Sequence, residues 1–176
     1  TDTTSDASLQ TVMEDLLQKQ QEIVDSLNVQ YSDYFVFGGN DYKNAPFSLK
    51  QTDDGPVLTY THQFTGDTAP TEITLSLQKT GDTYEYVVSV SDMAKLQQAM
   101  MEQGRIDVGY GTIFDHGTLI DTFTGGLNLL TGITSDEAIS RASDPTFAND
   151  ILEKLNSSAI GLVGKATQDI SDYLNS

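Results

Sequence analysis

Few residues in this 176-residue chain could do chemistry, and their spacing does not bring them together. There are two histidines, His62 and His116, and neither lies in an HExxH-type helix or beside a second histidine. A metal ligand or general base needs partners. His62 falls in an alternating strand pattern and His116 in the turn Phe114-Asp115-His116-Gly117, so both read as surface or turn histidines. Asp115 and His116 are not a dyad, since neighbours in a turn rarely point at each other. Thr52-Asp53-Asp54-Gly55 lacks the alternating ligand spacing of an EF-hand loop and reads as plain turn chemistry. Gly109-Tyr110-Gly111 and Gly125-Gly126 lack the strand–loop–helix context and the lysine of a phosphate cradle. No nucleophile elbow is present. The absence of cysteine removes disulfides, thiolate chemistry and cysteine-based metal sites. The chain therefore reads as a non-enzyme that needs no cofactor and no metal.

Charge narrows the partners. Twenty-six acidic residues against nine basic ones leave a net charge of −17, which argues against binding nucleic acid or an anionic membrane surface. No run of about 18 apolar residues exists to span a bilayer. No basic stretch followed by an apolar one opens the chain, so no cleavable signal peptide is expected, and a start at Thr1 rather than Met reads as a processed or cut chain. Apolar residues make up 38%, enough for a modest core and compatible with an elongated shape.

The elements that would carry any function come next. After a polar lead-in, Thr1 to Ala7, the apolar residues Leu9, Met13, Leu16, Ile23, Leu27, Tyr31 and Tyr34 recur at steps of three and four, with Gln20 filling one gap. That spacing predicts one long helix packing along a narrow seam, capped by Asp6 or Ser8 and about 40 Å long at 1.5 Å per residue. Gln18-Lys19-Gln20-Gln21-Glu22 reads as its polar face. The helix is expected to stop at Gly38-Gly39.

From Phe47 the period becomes two. Leu58, Tyr60, His62 and Phe64 alternate with Val57, Thr59, Thr61 and Gln63; Ile73, Leu75 and Leu77 alternate with polar residues; Tyr84, Tyr86, Val88 and Val90 follow the turn Thr80-Gly81-Asp82. These predict strands, the last two forming a hairpin. Ser91 and Asp92 look like the cap of a short helix over Met93 to Met100, and further short strands are expected over Ile106 to Ile113 and Thr118 to Ile120. Tyr60, Tyr84 and Tyr86 would form a sugar platform if exposed, but strand alternation explains them as core or cross-strand pairs.

A second long helical pattern closes the chain, with Ile151, Leu155, Ala159, Leu162, Ala166, Ile170 and Tyr173 on one stripe. Gly161 and Gly164 weaken it by about 1 kcal/mol each relative to Ala, which implies a close partner. The expected fold class is thus α+β: a long antiparallel terminal helix pair, a coiled-coil-like rod, from residues 1–40 and 144–176, with a β-rich outer domain inserted over 41–143.

Tyr31-Ser32-Asp33-Tyr34-Phe35-Val36-Phe37-Gly38-Gly39-Asn40-Asp41, followed by Ala45-Pro46-Phe47, resembles the helix-end motif of the hook-associated protein 3 family of flagellin-like proteins. Its most specific part is Tyr31, Phe35, Phe37, Gly38, Gly39, Pro46 and Phe47. Thr3 to Asp6 is similar to the family's break before that helix, Arg105-Ile106-Asp107-Val108-Gly109-Tyr110-Gly111 to an outer-domain strand, and Ala159 to Tyr173 to its returning helix. Both terminal segments of the family are missing. The resemblance implies a structural subunit of the bacterial flagellum at the hook–filament junction, extracellular and exported without a cleaved signal. It would act by packing in a ring with hook-associated protein 1 and flagellin, after release from an export chaperone. The seam residues would then serve subunit packing as well as the internal helix pair. Flagellin itself, or a surface adhesin-type binding module on a helical stalk, are the other readings.

Overall fold

The computed structural model describes residues 3–102 and 125–176. His116, the strands expected over 106–113 and 118–120, and the motif from Arg105 to Gly111 lie outside the described residues.

The sheet follows from the alternation. Strands β3 (Phe47–Thr52), β4 (Gly55–His62), β5 (Thr71–Thr80) and β6 (Thr83–Val87) form a four-stranded antiparallel sheet in sequence order. Leu58 sits opposite Leu75, Tyr60 opposite Ile73 and Leu77 opposite Tyr86, so the buried residues of neighbouring strands share one face. Gly55 and Gly81 take positive φ values of 107° and 65° in the tight turns that reverse the chain. Val88 and Val90 do not extend β6. Ser89 accepts the Asp92 amide and starts helix α2 (Val90–Met101), leaving Val90 exposed.

The expected rod is absent: among the described residues there is a small α+β domain of six helices and two antiparallel sheets, with no long terminal antiparallel helix pair. Helix α1 spans Thr3–Leu27, beginning inside the stretch expected as a frayed lead-in and ending well before Gly38. At its end Asn28 turns its side chain onto the backbone of Phe47. The chain then forms a small hairpin, β1 (Gln30–Tyr31) with β2 (Tyr34–Phe35), around Ser32 at φ 56°. Tyr31 and Tyr34 therefore face each other across a hairpin and do not continue a helical seam. A run of aromatic and β-branched residues favours strand over helix, and here the local preference wins.

The C-terminal stripe is likewise two helices, α5 (Phe147–Ser157) and α6 (Ala159–Leu174), parted by Ser158 in extended conformation. A Cβ on Gly161 would come within 2.6 Å of the Leu155 and Asn156 carbonyl oxygens. Glycine at this position is what lets the second helix start so close to the end of the first. Between α2 and α5 stand two short helices, α3 (Gly126–Thr131) and α4 (Ser135–Ser140). Gly132 closes α3 at φ 72°, and Thr134 opens α4 by accepting the Glu137 amide.

One core joins these parts. Val24 and Leu27 from α1, Phe47 to Tyr86 from the sheet, Leu96 and Met100 from α2, and Ile151, Leu155 and Ile160 from α5 and α6 form a single buried cluster.

Candidate functional site

The segment from Asn28 to Phe47 joins the end of α1 to the start of the sheet, and its unusual residues all have packing work there. Gly38 is buried. A Cβ on it would fall 1.9 Å from the Asp41 carbonyl oxygen, whose residue donates its amide back to the Gly38 carbonyl at 3.1 Å. Gly39 follows at φ 64°, a conformation that favours glycine. The Phe37 carbonyl accepts the Gly126 amide at 2.7 Å, and Gly126 presses against the Phe47 ring, where a Cβ would lie 2.6 Å from Cε2. Phe35 donates to the Tyr42 carbonyl at 2.9 Å, while the Tyr34 and Tyr42 rings stack at 4.7 Å. Buried Asp41 then pins the joint to the sheet, accepting from the Gln63 amide at 2.8 Å and from Asn44 Nδ2 at 3.0 Å. The Pro46 carbonyl accepts the Thr61 amide at 2.8 Å, and Phe47 packs on Tyr60.

The stripe residues separate into groups. Leu27, Ile151 and Leu155 are buried in the core; Leu9, Met13, Leu16, Ile23 and Ile170 are half-buried; Tyr31, Leu162 and Tyr173 are about half exposed at 50%, 57% and 47%. Leu162 lies on the outer side of α6, and the buried apolar residue of that turn is Ile160. Gln20, which fills a gap in the apolar stripe and also falls in the polar run Gln18 to Glu22, is fully buried. It donates to Thr167 Oγ1 on α6 at 2.9 Å and accepts from Gln51 Nε2 on β3 at 3.3 Å. A glutamine within an apolar stripe is the signal that pointed to it.

Tyr60, Tyr84 and Tyr86 do not form an exposed platform: Tyr60 and Tyr86 are core residues, and Tyr84 is half-buried with its hydroxyl donated to Asp172 at 2.7 Å. That bond, with burial and the nearby carboxylates adding to it, raises the Tyr84 pKa to about 12; the same bond, helped by Lys79 at 3.2 Å, lowers that of Asp172. Arg141 gathers Asp144 at 2.8 Å and Asp150 at 2.6 Å over the Phe147 ring, which fastens the start of α5. Hydrogen bonds from Thr146 backbone and hydroxyl, then from Arg141, hold Asp144 down at about 2.

His62, expected at the surface or in a turn, is instead a core residue, on the same buried side of β4 as Leu58 and Tyr60. It lies between Tyr60 and Phe64, with Nε2 3.4 Å from Glu102 Oε1, and that oxygen also accepts the Thr65 amide and hydroxyl. Among the described residues no three His, Cys, Asp or Glu side chains come together to hold a metal ion. No described helix is long and apolar enough to cross a membrane. Comparison with family models, curated proteins and solved structures finds no match to this chain.

Proposed function

We propose that this chain is a structural subunit of the bacterial flagellum, the junction protein between hook and filament, acting by subunit packing and not by catalysis. The observation that carries the reading is the joint. The residues that bear the resemblance, Phe35, Phe37, Gly38, Gly39, Pro46 and Phe47, lie in the segment that joins α1 to the sheet and are held there by backbone bonds and close packing. A subunit whose work is to hold a shape under load needs such a joint. Helix surfaces still available to neighbours fit the same reading: Leu9, Met13, Leu16 and Ile170 are half-buried, while Leu162 and Tyr173 are exposed. The neighbours in this account are further copies of the chain, hook-associated protein 1 and flagellin, outside the cell, after export in company with a chaperone and without a cleaved signal. The acidic surface, at a net −17, keeps the unassembled chain soluble.

Deleting the gene from the cell that makes the protein tests this. The expected result is intact hooks without filaments, with flagellin released as monomer into the medium. Filaments and swimming at the parental level overturn the proposal. Loss of filaments with no flagellin in the medium favours the filament subunit instead.

A further inference from the structure

Among the described residues, each outer strand of the four-stranded sheet is held at its outer edge by one asparagine. On β3, Asn28 donates Nδ2–H to the Phe47 carbonyl at 2.6 Å and accepts the Phe47 amide on Oδ1 at 3.0 Å. On β6, Asn156 accepts the Tyr86 amide on Oδ1 at 2.6 Å and donates Nδ2–H to the Tyr86 carbonyl at 3.2 Å. A carboxamide carries the same donor and acceptor as a peptide unit, so each side chain occupies one of the outward backbone pairs that a further strand would need in register. The two residues come from different places, Asn28 just past the end of α1 and Asn156 near the end of α5. Nothing in chain order ties them together; the shared feature is that β3 and β6 are the first and last strands of the sheet. A second contact reinforces each: Gln51 of β3 bonds to Gln20 of α1, and Asn156 Nδ2 also donates to the Leu152 carbonyl at 2.9 Å, fixing the side chain to its own helix.

We propose that Asn28 and Asn156 close the sheet to strand addition, so that a second copy of this chain cannot pair with it edge to edge. Unprotected edges are templates for such pairing. A chain that meets many copies of itself at high local concentration gains directly from shutting them.

The test compares the full chain with Asn28→Ala, Asn156→Ala and the double variant by sedimentation velocity over a concentration series, with infrared spectroscopy for intermolecular β structure. The single variants are expected to associate as concentration rises and to gain the intermolecular β signal, the double variant most strongly, while the parent does neither. Folded variants that sediment as the parent does overturn the proposal. Should the alanine variants fail to fold, Asn156→Ser, too short to span both groups, is read in the same way. Amide exchange in the parent gives an independent reading. The Phe47 and Tyr86 amides are expected to exchange roughly tenfold or more slowly than the Tyr84 amide, which alternation places on the same open side of β6. Equal rates for Tyr86 and Tyr84 overturn it as well.

Discussion

Helix α1 runs unbroken over Thr3–Leu27, whereas the C-terminal stretch of similar length divides at Ser158 into α5 and α6. Both place apolar residues at steps of three and four. The difference lies in what surrounds them. No glycine or proline interrupts α1, and its first four turns pack only half-buried side chains. The C-terminal stretch must bury Ile151 and Leu155 in the main core and then bring Gly164 against Tyr86 and Leu77 of the sheet, where a Cβ would sit 3.4–3.6 Å from their atoms. One straight helix does not meet both demands, and the chain bends where Ser158 and Gly161 allow it. Apolar spacing records which side of each turn is buried; it does not record whether successive turns share an axis.

Substitutions can break or sharpen this contrast. The largest effect is expected from Ile151→Ala on α5, which empties a fully buried position and should cost about 2–5 kcal/mol in urea unfolding, while Leu162→Ala on the same nominal stripe should stay within about 0.5 kcal/mol. Equal losses at both positions would restore a single continuous stripe. Next comes Gly161→Ala. In an ordinary helix this change stabilises by about 1 kcal/mol. Here the methyl group meets two backbone carbonyls at 2.6 Å, and the sign is expected to reverse to a loss of about 1–3 kcal/mol. Gln20→Ala should cost about 1–3 kcal/mol by leaving Thr167 and Gln51 without their shared partner, although neighbouring exposed positions of α1, such as Gln21, tolerate alanine.

The smallest effect is a pH dependence. Because the folded-state pKa of Tyr84 is raised to about 12, its contribution to stability is fully present below the ordinary tyrosine value near 10 and is lost as pH rises through about 12. Tyr84→Phe should flatten the stability profile in that alkaline window and leave it unchanged near neutrality, as read by thermal unfolding at a series of pH values.

The sheet was legible in the sequence because alternation and turn residues act locally. The residues from Leu58 to Tyr86 needed only a period of two, with Gly55 and Gly81 at the reversals, to define strands and the β5–β6 hairpin, although the alternation ran on through Val88 and Val90, where Ser89 starts α2, and did not reveal that His62 is buried. The end of α1 was not legible. The near-heptad run through Tyr31 and Tyr34 continued a helical rhythm past Leu27 and masked the strand preference of the aromatic run, while the bonds from Asn28 to Phe47, 19 residues away, were beyond any local reading. Helix α4 was in principle readable, since Thr134-Ser135-Asp136-Glu137 has the spacing of a capping box. Gly38-Gly39 read as a change of direction, and the chain does reverse there; the reason for glycine at Gly38, a collision with the Asp41 carbonyl, is visible only with the fold in hand. The asparagine clasps left no sequence signal at all, because each joins residues far apart in the chain through a side chain common in loops.

Immunogold electron microscopy of intact flagella, with an antibody raised against this chain, tests the central claim most directly. The account predicts gold confined to one narrow zone where hook meets filament. Labelling along the whole filament, or none on the flagellum, would contradict it.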